Sequence, residues 1–92
     1  MGLAIIKEDK KYTLVADTGI SIPIDIDKLL SVGLVTTWDT KVIGETTVLK
    51  SNPNRRTITI KDKATKQSID VGFFTYQDFL RKLNVRKKRG DL

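Results

Sequence analysis

Residues 20–26, ISIPIDI, are the stretch that most constrains the fold, because isoleucine alternates there with polar residues and proline. A period of two indicates a β-strand with one face in an apolar core and the other in solvent. Pro23 has no backbone N–H to donate to a central ladder, so we expect this strand at the edge of a sheet. We therefore predict a protein-interaction edge, open to a strand of another chain, formed by Ile20, Ile22, Ile24 and Ile26.

Most of the remaining chain consists of short segments rich in β-branched residues, separated by polar turns. Asp27 is the expected N-cap of a brief helical turn over residues 28–32, which Gly33 would end. Trp38 would share a buried face with Leu34. Further strands are predicted over residues 3–7, 11–16, 34–39, 46–49, 56–61 and 67–73.

The clearest helical pattern lies near the C-terminus, over residues 75–84. Thr75 is the predicted N-cap and Asp78 would complete a capping box, with Phe74 packed on Phe79 as a hydrophobic staple. Asn84 is the expected C-terminal cap. Helical spacing places one apolar stripe on Tyr76, Phe79, Leu80 and Leu83.

These patterns predict a mainly β fold, all-β or α+β. The expected architecture is a small antiparallel barrel or sandwich of six to seven strands with one C-terminal α-helix. Pleckstrin-like and OB-like arrangements both fit this description. Residues 1–84 would form a single β-rich domain that ends in the helix, and residues 85–92 a basic, flexible tail.

Composition excludes several classes of active site, because the 92 residues contain no cysteine and no histidine. Zinc sites of the Cys/His type, cysteine nucleophiles and Ser-His-Asp triads all require one of these residues. We expect no cofactor. Apolar runs are only a few residues long and the N-terminus does not resemble a secretory signal. No membrane partner is therefore expected, and a cytoplasmic location, in a host cell or a virion if the source is viral, fits the chain.

Positive charge is concentrated at the C-terminal end. Residues 1–80 contain eleven Lys/Arg and ten Asp/Glu, whereas residues 81–92 contain six Lys/Arg and one Asp. Such a density of cations attracts polyanions and releases the counterions that surround them. The predicted polyanion-binding residues are Arg81, Lys82, Arg86, Lys87, Lys88 and Arg89.

These observations favour a non-catalytic binding or assembly module. Nucleic acid, bound without strong sequence specificity, is the first expected partner of the basic segment, and an acidic protein surface is the other. The alternative function is a structural accessory subunit of a virion or another large complex, which would form homo- or hetero-oligomers through its β edges. A solvated segment that only keeps the protein in solution would have the same composition.

Asp17-Thr18-Gly19 raises one catalytic alternative. The tripeptide resembles the active-site motif of the retroviral aspartic proteases, homodimers in which each chain contributes one aspartate. The resemblance would imply that Asp17 pairs with its counterpart across a two-fold axis. Ile20 departs from the family, which has a small residue after the glycine, and Asp70 interrupts the hydrophobic pair that the family has before Gly72. Turn chemistry, with Gly19 at positive φ, explains the tripeptide more simply.

Asp25 and Asp27 lie two residues apart and could share a face of a strand. Two carboxylates on one face could hold Mg²⁺ or Ca²⁺. No third carboxylate is close in sequence, and a capping role already accounts for one of the two. We predict no metal site.

Overall fold

A computed structural model describes residues 2–92 of the chain. It contains seven β-strands and two α-helices, so the prediction of a mainly β fold with a C-terminal helix is confirmed. The elements in chain order are β1 Leu3–Glu8, β2 Lys11–Ala16, β3 Ser21–Ile24, α1 Ile26–Val32, β4 Asp39–Val42, β5 Thr47–Asn52, β6 Thr57–Asp62, β7 Ser68–Gly72 and α2 Phe73–Lys88.

The strands form two antiparallel sheets, one with the order β1-β2-β3 and one with the order β4-β5-β6-β7. Each strand pairs with its neighbour in sequence, because short polar turns join them all except β3 and β4. Within residues 2–92 the strands thus make two separate sheets, and the barrel form of the prediction is not confirmed.

Both sheets and both helices contribute to one apolar core. The period-two pattern correctly predicts which residues of β3 face it: Ile22 and Ile24 are buried, whereas Ser21 and Pro23 are exposed. The opposite sheet contributes side chains from alternate positions of β6 and β7 in the same way. They are Ile58, Ile60, Ile69 and Val71.

Helix α1 begins earlier than predicted. Its N-cap is Asp25, whose Oδ1 accepts hydrogen bonds from the backbone N–H groups of Asp27 (3.0 Å) and Lys28 (3.2 Å). The assignment of Asp27 as the N-cap is therefore wrong, and Ile26 belongs to the helix and not to the strand. Both patterns predict an inward Ile26, so periodicity alone does not locate the boundary. Gly33 ends the helix as expected, with φ of 65°.

The predicted strand over residues 34–39 is also wrong. The chain is irregular up to Trp38, and β4 starts at Asp39. Ser51 Oγ donates a hydrogen bond to the carbonyl oxygen of Val35 (2.6 Å), a contact that fixes this segment without a ladder. Trp38, predicted in the core with Leu34, is 65% exposed, because only the Leu34 end of the segment reaches the core.

The sheets meet where β3 lies beside the turn between β4 and β5. Thr47 Oγ1 donates to the carbonyl oxygen of Pro23 (2.6 Å), and the Asp25 N–H donates to the carbonyl oxygen of Ile43 (2.8 Å). Gly44 permits this approach: a Cβ there would lie 3.3 Å from the Pro23 oxygen. The open edge of β3 is thus covered by the chain's own second sheet.

Candidate nucleic-acid interface at the C-terminal end of α2

Helix α2 is held on the core by the predicted stripe. Tyr76, Phe79, Leu80 and Leu83 are all buried, and the rings of Tyr76 and Phe79 contact each other with centroids 6.2 Å apart. Burial raises the pKa of the Tyr76 phenol, whose hydroxyl has no hydrogen-bond partner among the residues described. This anchoring fixes the helical backbone that carries the basic residues up to Lys88.

The N-terminal end of α2 differs from the prediction. The helix begins at Phe73 with Gly72 as N-cap and no side-chain cap, so Thr75 is not the capping residue and Asp78 closes no capping box. Phe74 is 83% exposed and forms no staple with Phe79. The chain enters the helix directly from β7, and the N–H of Phe73 donates to the carbonyl oxygen of Arg56 (2.9 Å).

Helix α2 extends to Lys88, beyond the predicted end at residue 84. Residues 85–88, predicted as part of a flexible tail, are helical, and Asn84 lies inside the helix. The Gly90 N–H donates to Lys87 O (3.1 Å) and the Asp91 N–H to Arg86 O (2.9 Å), the two bonds of a Schellman motif. Gly90, with φ of 78°, supplies the left-handed residue that this motif needs.

Two of the six predicted cations share one carboxylate. Asp78 forms ion pairs with Arg81 and, at 3.1 Å, with Lys82. Their hydrogen bonds, Arg81 first, hold the pKa of Asp78 below its usual value. Both basic side chains are still 72% exposed, so an incoming anion can compete for them.

Two further cations contact other parts of the fold. Lys87 Nζ lies 2.6 Å from Asp27 Oδ1 at the start of α1. Arg86 Nη1 lies 3.5 Å from the carbonyl oxygen of Ile5 in β1, at the limit of a hydrogen bond. These contacts tie the end of α2 to both neighbouring elements and neutralise only one of the two charges.

Lys88 and Arg89 are exposed, and neither lies within 4.0 Å of a carboxylate in the region that the structure describes. Successive residues of an α-helix are turned by about 100° around its axis. The six basic side chains therefore surround the end of the helix and do not form a single stripe. This geometry suits many orientations of a flexible polyanion.

A groove beside these cations separates α2 from β1. Its volume is about 430 Å³, and its walls include Ile5 of the strand and Phe79, Lys82, Leu83 and Arg86 of the helix. Strand β1 pairs only with β2, so its other edge faces this groove. Lys82 and Arg86 thus lie at the border of a partly apolar depression, whereas Lys88 and Arg89 lie beyond it.

The isoleucines of the predicted interaction edge lie in or against the core, not on an open surface. Strand β3 is an edge strand of its sheet, as Pro23 indicated, but Ile22, Ile24 and Ile26 are buried and Ile20 is partly buried. These side chains belong to the core of the same chain and offer no apolar surface to another one. The pattern predicted the buried face, which is a different property from an accessible edge.

The acidic candidates have structural contacts. Asp17 lies in the β2–β3 turn, where its Oδ2 accepts the Gly2 N–H (2.9 Å) and Gly19 has φ of 93°. Asp25 caps α1, and Asp27 pairs with Lys87. Across residues 2–92 no three Asp, Glu, His or Cys side chains are grouped as ligands for a metal ion, and no helix is long and apolar enough to cross a membrane.

The sequence did not predict one exposed surface, which lies at the open edge of β4. Trp38 (65% exposed) directly precedes this strand and Val42 (57% exposed) is its last residue. A signal was present in the sequence, since residues 38–42, WDTKV, place an acid and a base symmetrically about Thr40.

Comparisons of the chain with protein-family models, with curated proteins and with solved structures find no match.

Proposed function

We propose that this protein is a small non-catalytic binding module that contacts the phosphate backbone of nucleic acid through the C-terminal end of α2. The observation that carries the proposal is the group of six cations within residues 81–89, on a body that is close to neutral. The residues are Arg81, Lys82, Arg86, Lys87, Lys88 and Arg89.

The ordered helix strengthens this proposal. On a flexible tail both backbone and side chains lose conformational entropy on binding, whereas on α2 the backbone that carries the cations is already held by the buried stripe. Lys88 and Arg89 have no ion pair to break within residues 2–92. The same cations also stabilise the negative end of the helix dipole, a role that requires no partner, so binding has to be measured.

The surroundings favour contacts to phosphates over contacts to bases. Sequence readout needs side chains that reach base edges, or aromatic rings on which bases stack. Phe74, the exposed aromatic residue of α2, lies at the opposite end of the helix from Lys88. We therefore expect single- and double-stranded nucleic acids of different sequence to bind with similar affinity.

Salt dependence is the decisive measurement. If four of the six cations contact phosphates, the logarithm of the association constant for double-stranded DNA should fall with the logarithm of salt concentration at a slope of about −3.6. Labelled single- and double-stranded oligonucleotides would be titrated by fluorescence anisotropy at several salt concentrations. No binding at low salt, or an association constant that does not change with salt concentration, would contradict the proposal.

A matched pair of variants locates the contacts. Lys88→Gln/Arg89→Gln should reduce the slope by about 1.8, the share of two phosphate contacts. Lys10→Gln/Lys11→Gln removes the same charge from the β1–β2 hairpin and should leave the slope unchanged. Equal losses in both variants would mean that net charge, and not the end of α2, causes binding.

The alternative function, assembly through β edges, is favoured by a different observation. Strand β4 has an open edge that β3 lacks, and this edge leads to a separate inference.

A further inference from the structure

Strand β4 offers its outer edge to solvent. It pairs with β5 on one side only, and Asp39, Thr40, Lys41 and Val42 are all exposed. The Ile43 N–H donates to Thr47 O (3.0 Å), so residue 43 directs its N–H toward β5. In an antiparallel ladder this direction alternates, and the N–H groups of Thr40 and Val42 therefore point to the open side.

A hydrogen bond supports this assignment. The Thr40 N–H, which lacks a partner strand, donates to the carboxylate of its neighbour, Asp39 Oδ1, at 2.8 Å. Asp39 Oδ2 in turn lies 3.1 Å from Lys41 Nζ. One acid and one base thus cover the open edge on one face of the strand, whereas Val42 lies exposed on the other and Trp38 is exposed just before the strand.

We propose that β4 pairs antiparallel with β4 of a second copy of this chain, with Thr40 on the two-fold axis. Each residue then faces the residue of the other copy at the mirrored position about Thr40. Asp39 faces Lys41, Lys41 faces Asp39, and Trp38 faces Val42. The two four-stranded sheets become one continuous sheet of eight strands.

The register pairs opposite charges and pairs an aromatic side chain with a β-branched one. Opposite charges and aromatic/β-branched residues are both favourable cross-strand pairs. In the dimer the Thr40 N–H donates to the Thr40 carbonyl oxygen of the second copy instead of to the Asp39 carboxylate. That carboxylate is then free to pair with the facing Lys41. If one strand is shifted by two residues, either Lys41 faces Lys41 or Asp39 faces Asp39. The register centred on Thr40 is therefore preferred.

Each of the other sheet edges has another element of the chain beside it. The second sheet covers β3 through the Thr47–Pro23 and Asp25–Ile43 hydrogen bonds. Arg86 reaches the carbonyl oxygen of Ile5 at the outer edge of β1. Helix α2 follows directly from β7 and packs against it. Only the five residues 38–42 of each copy take part in pairing, so the interface is small and the dimer is of the transient class.

The first test measures association of the full chain over about 10 µM to about 1 mM, the range expected for a transient complex. Sedimentation equilibrium should show the mass rising from monomer toward dimer. Trp38 is the only tryptophan, so its emission should shift to shorter wavelength over the same range. A monomer at every concentration would overturn the proposal.

Charge substitutions test the register. Asp39→Lys gives an edge with two lysines and Lys41→Asp an edge with two aspartates. Each variant alone should dissociate about tenfold more readily, because like charges face each other in both symmetric pairs. An equimolar mixture of the two variants should recover wild-type association, and so should the double exchange Asp39→Lys/Lys41→Asp. Failure of both to recover it would exclude this register.

Backbone pairing is tested by Thr40→Pro. The Thr40 N–H points away from β5, so proline removes a donor from the open edge and leaves the β4–β5 ladder intact. Far-UV circular dichroism should match the wild type while association is lost. Thr59→Ser, a mild change elsewhere on the outer face of the same sheet, is the control and should associate normally. Wild-type association of the Thr40→Pro variant would contradict a β4–β4 ladder.

Discussion

Strands β3 and β4 are both four residues long and both lie at the edge of a sheet, yet their environments are opposite. Strand β3 buries Ile22 and Ile24 and has its open side covered by the turn at residues 43–47. All four residues of β4 are exposed, and only charged side chains protect its edge. Alternation therefore predicts a buried face, but an accessible edge depends on what the rest of the chain places beside the strand.

The largest expected difference between the two strands is in core packing. Ile22→Ala removes a fully buried side chain and should lower the free energy of unfolding by about 3 kcal/mol. Val42→Ala, the matched change on β4, should alter it by less than about 0.5 kcal/mol. Urea unfolding measures both, and similar losses would mean that Val42 is packed as firmly as Ile22.

The hydrogen bond that covers β3 should have the next largest effect. Thr47→Val keeps the shape of a buried side chain but leaves the carbonyl oxygen of Pro23 without its donor, at a cost of about 1–2 kcal/mol. Thr40→Val, on the exposed edge of β4, is the control and should be close to neutral in dilute protein. An equally mild effect at Thr47 would show that the covering contact contributes little.

The close approach of the two sheets gives a smaller effect. In Gly44→Ala the added Cβ would lie 3.2 Å from Thr47 Cβ and 3.3 Å from the Pro23 oxygen. The neighbours must move by a few tenths of an ångström, at a cost of about 1 kcal/mol. In Gly2→Ala the nearest atom, Asp17 Oδ2, lies 3.8 Å away, so thermal unfolding should be unchanged. Equal stability of the two variants would contradict the close packing at Gly44.

The smallest effect concerns the charges on β4. The Lys41 side chain and the Thr40 N–H, in that order, lower the pKa of Asp39 from the value of about 3.9 in an unfolded chain. The resulting stabilisation is present above that value and is lost as pH falls through the lower pKa of the folded state. An NMR titration of dilute protein should give the lowered pKa, and Lys41→Gln should raise it. No change in that variant would show that Lys41 has no influence.

Part of the candidate site was predictable. The buried stripe of α2 was predicted correctly, because a 3.6-residue period is a local property of the chain. Its residues are Tyr76, Phe79, Leu80 and Leu83. The helix ends were not predicted correctly. At the C-terminal end, Gly90 is a local signal for the Schellman motif, but the dense charge of residues 85–89 favoured a flexible tail in the prediction. At the N-terminal end, β7 leads directly into α2, so the N-cap is Gly72 and no side chain caps the helix.

By itself the sequence determined which side of β3 and of α2 meets the core, the turn at Gly19 and the end of α1 at Gly33, since these depend on neighbours a few residues apart. Only the tertiary structure decided that the edge of β3 is covered, that Trp38 is exposed and that the edge of β4 is open. The covering of β3 and the position of the segment that carries Trp38 rest on bonds between distant residues, Thr47 with Pro23 and Ser51 with Val35. No local pattern encodes such pairs, because each partner alone is compatible with many neighbours.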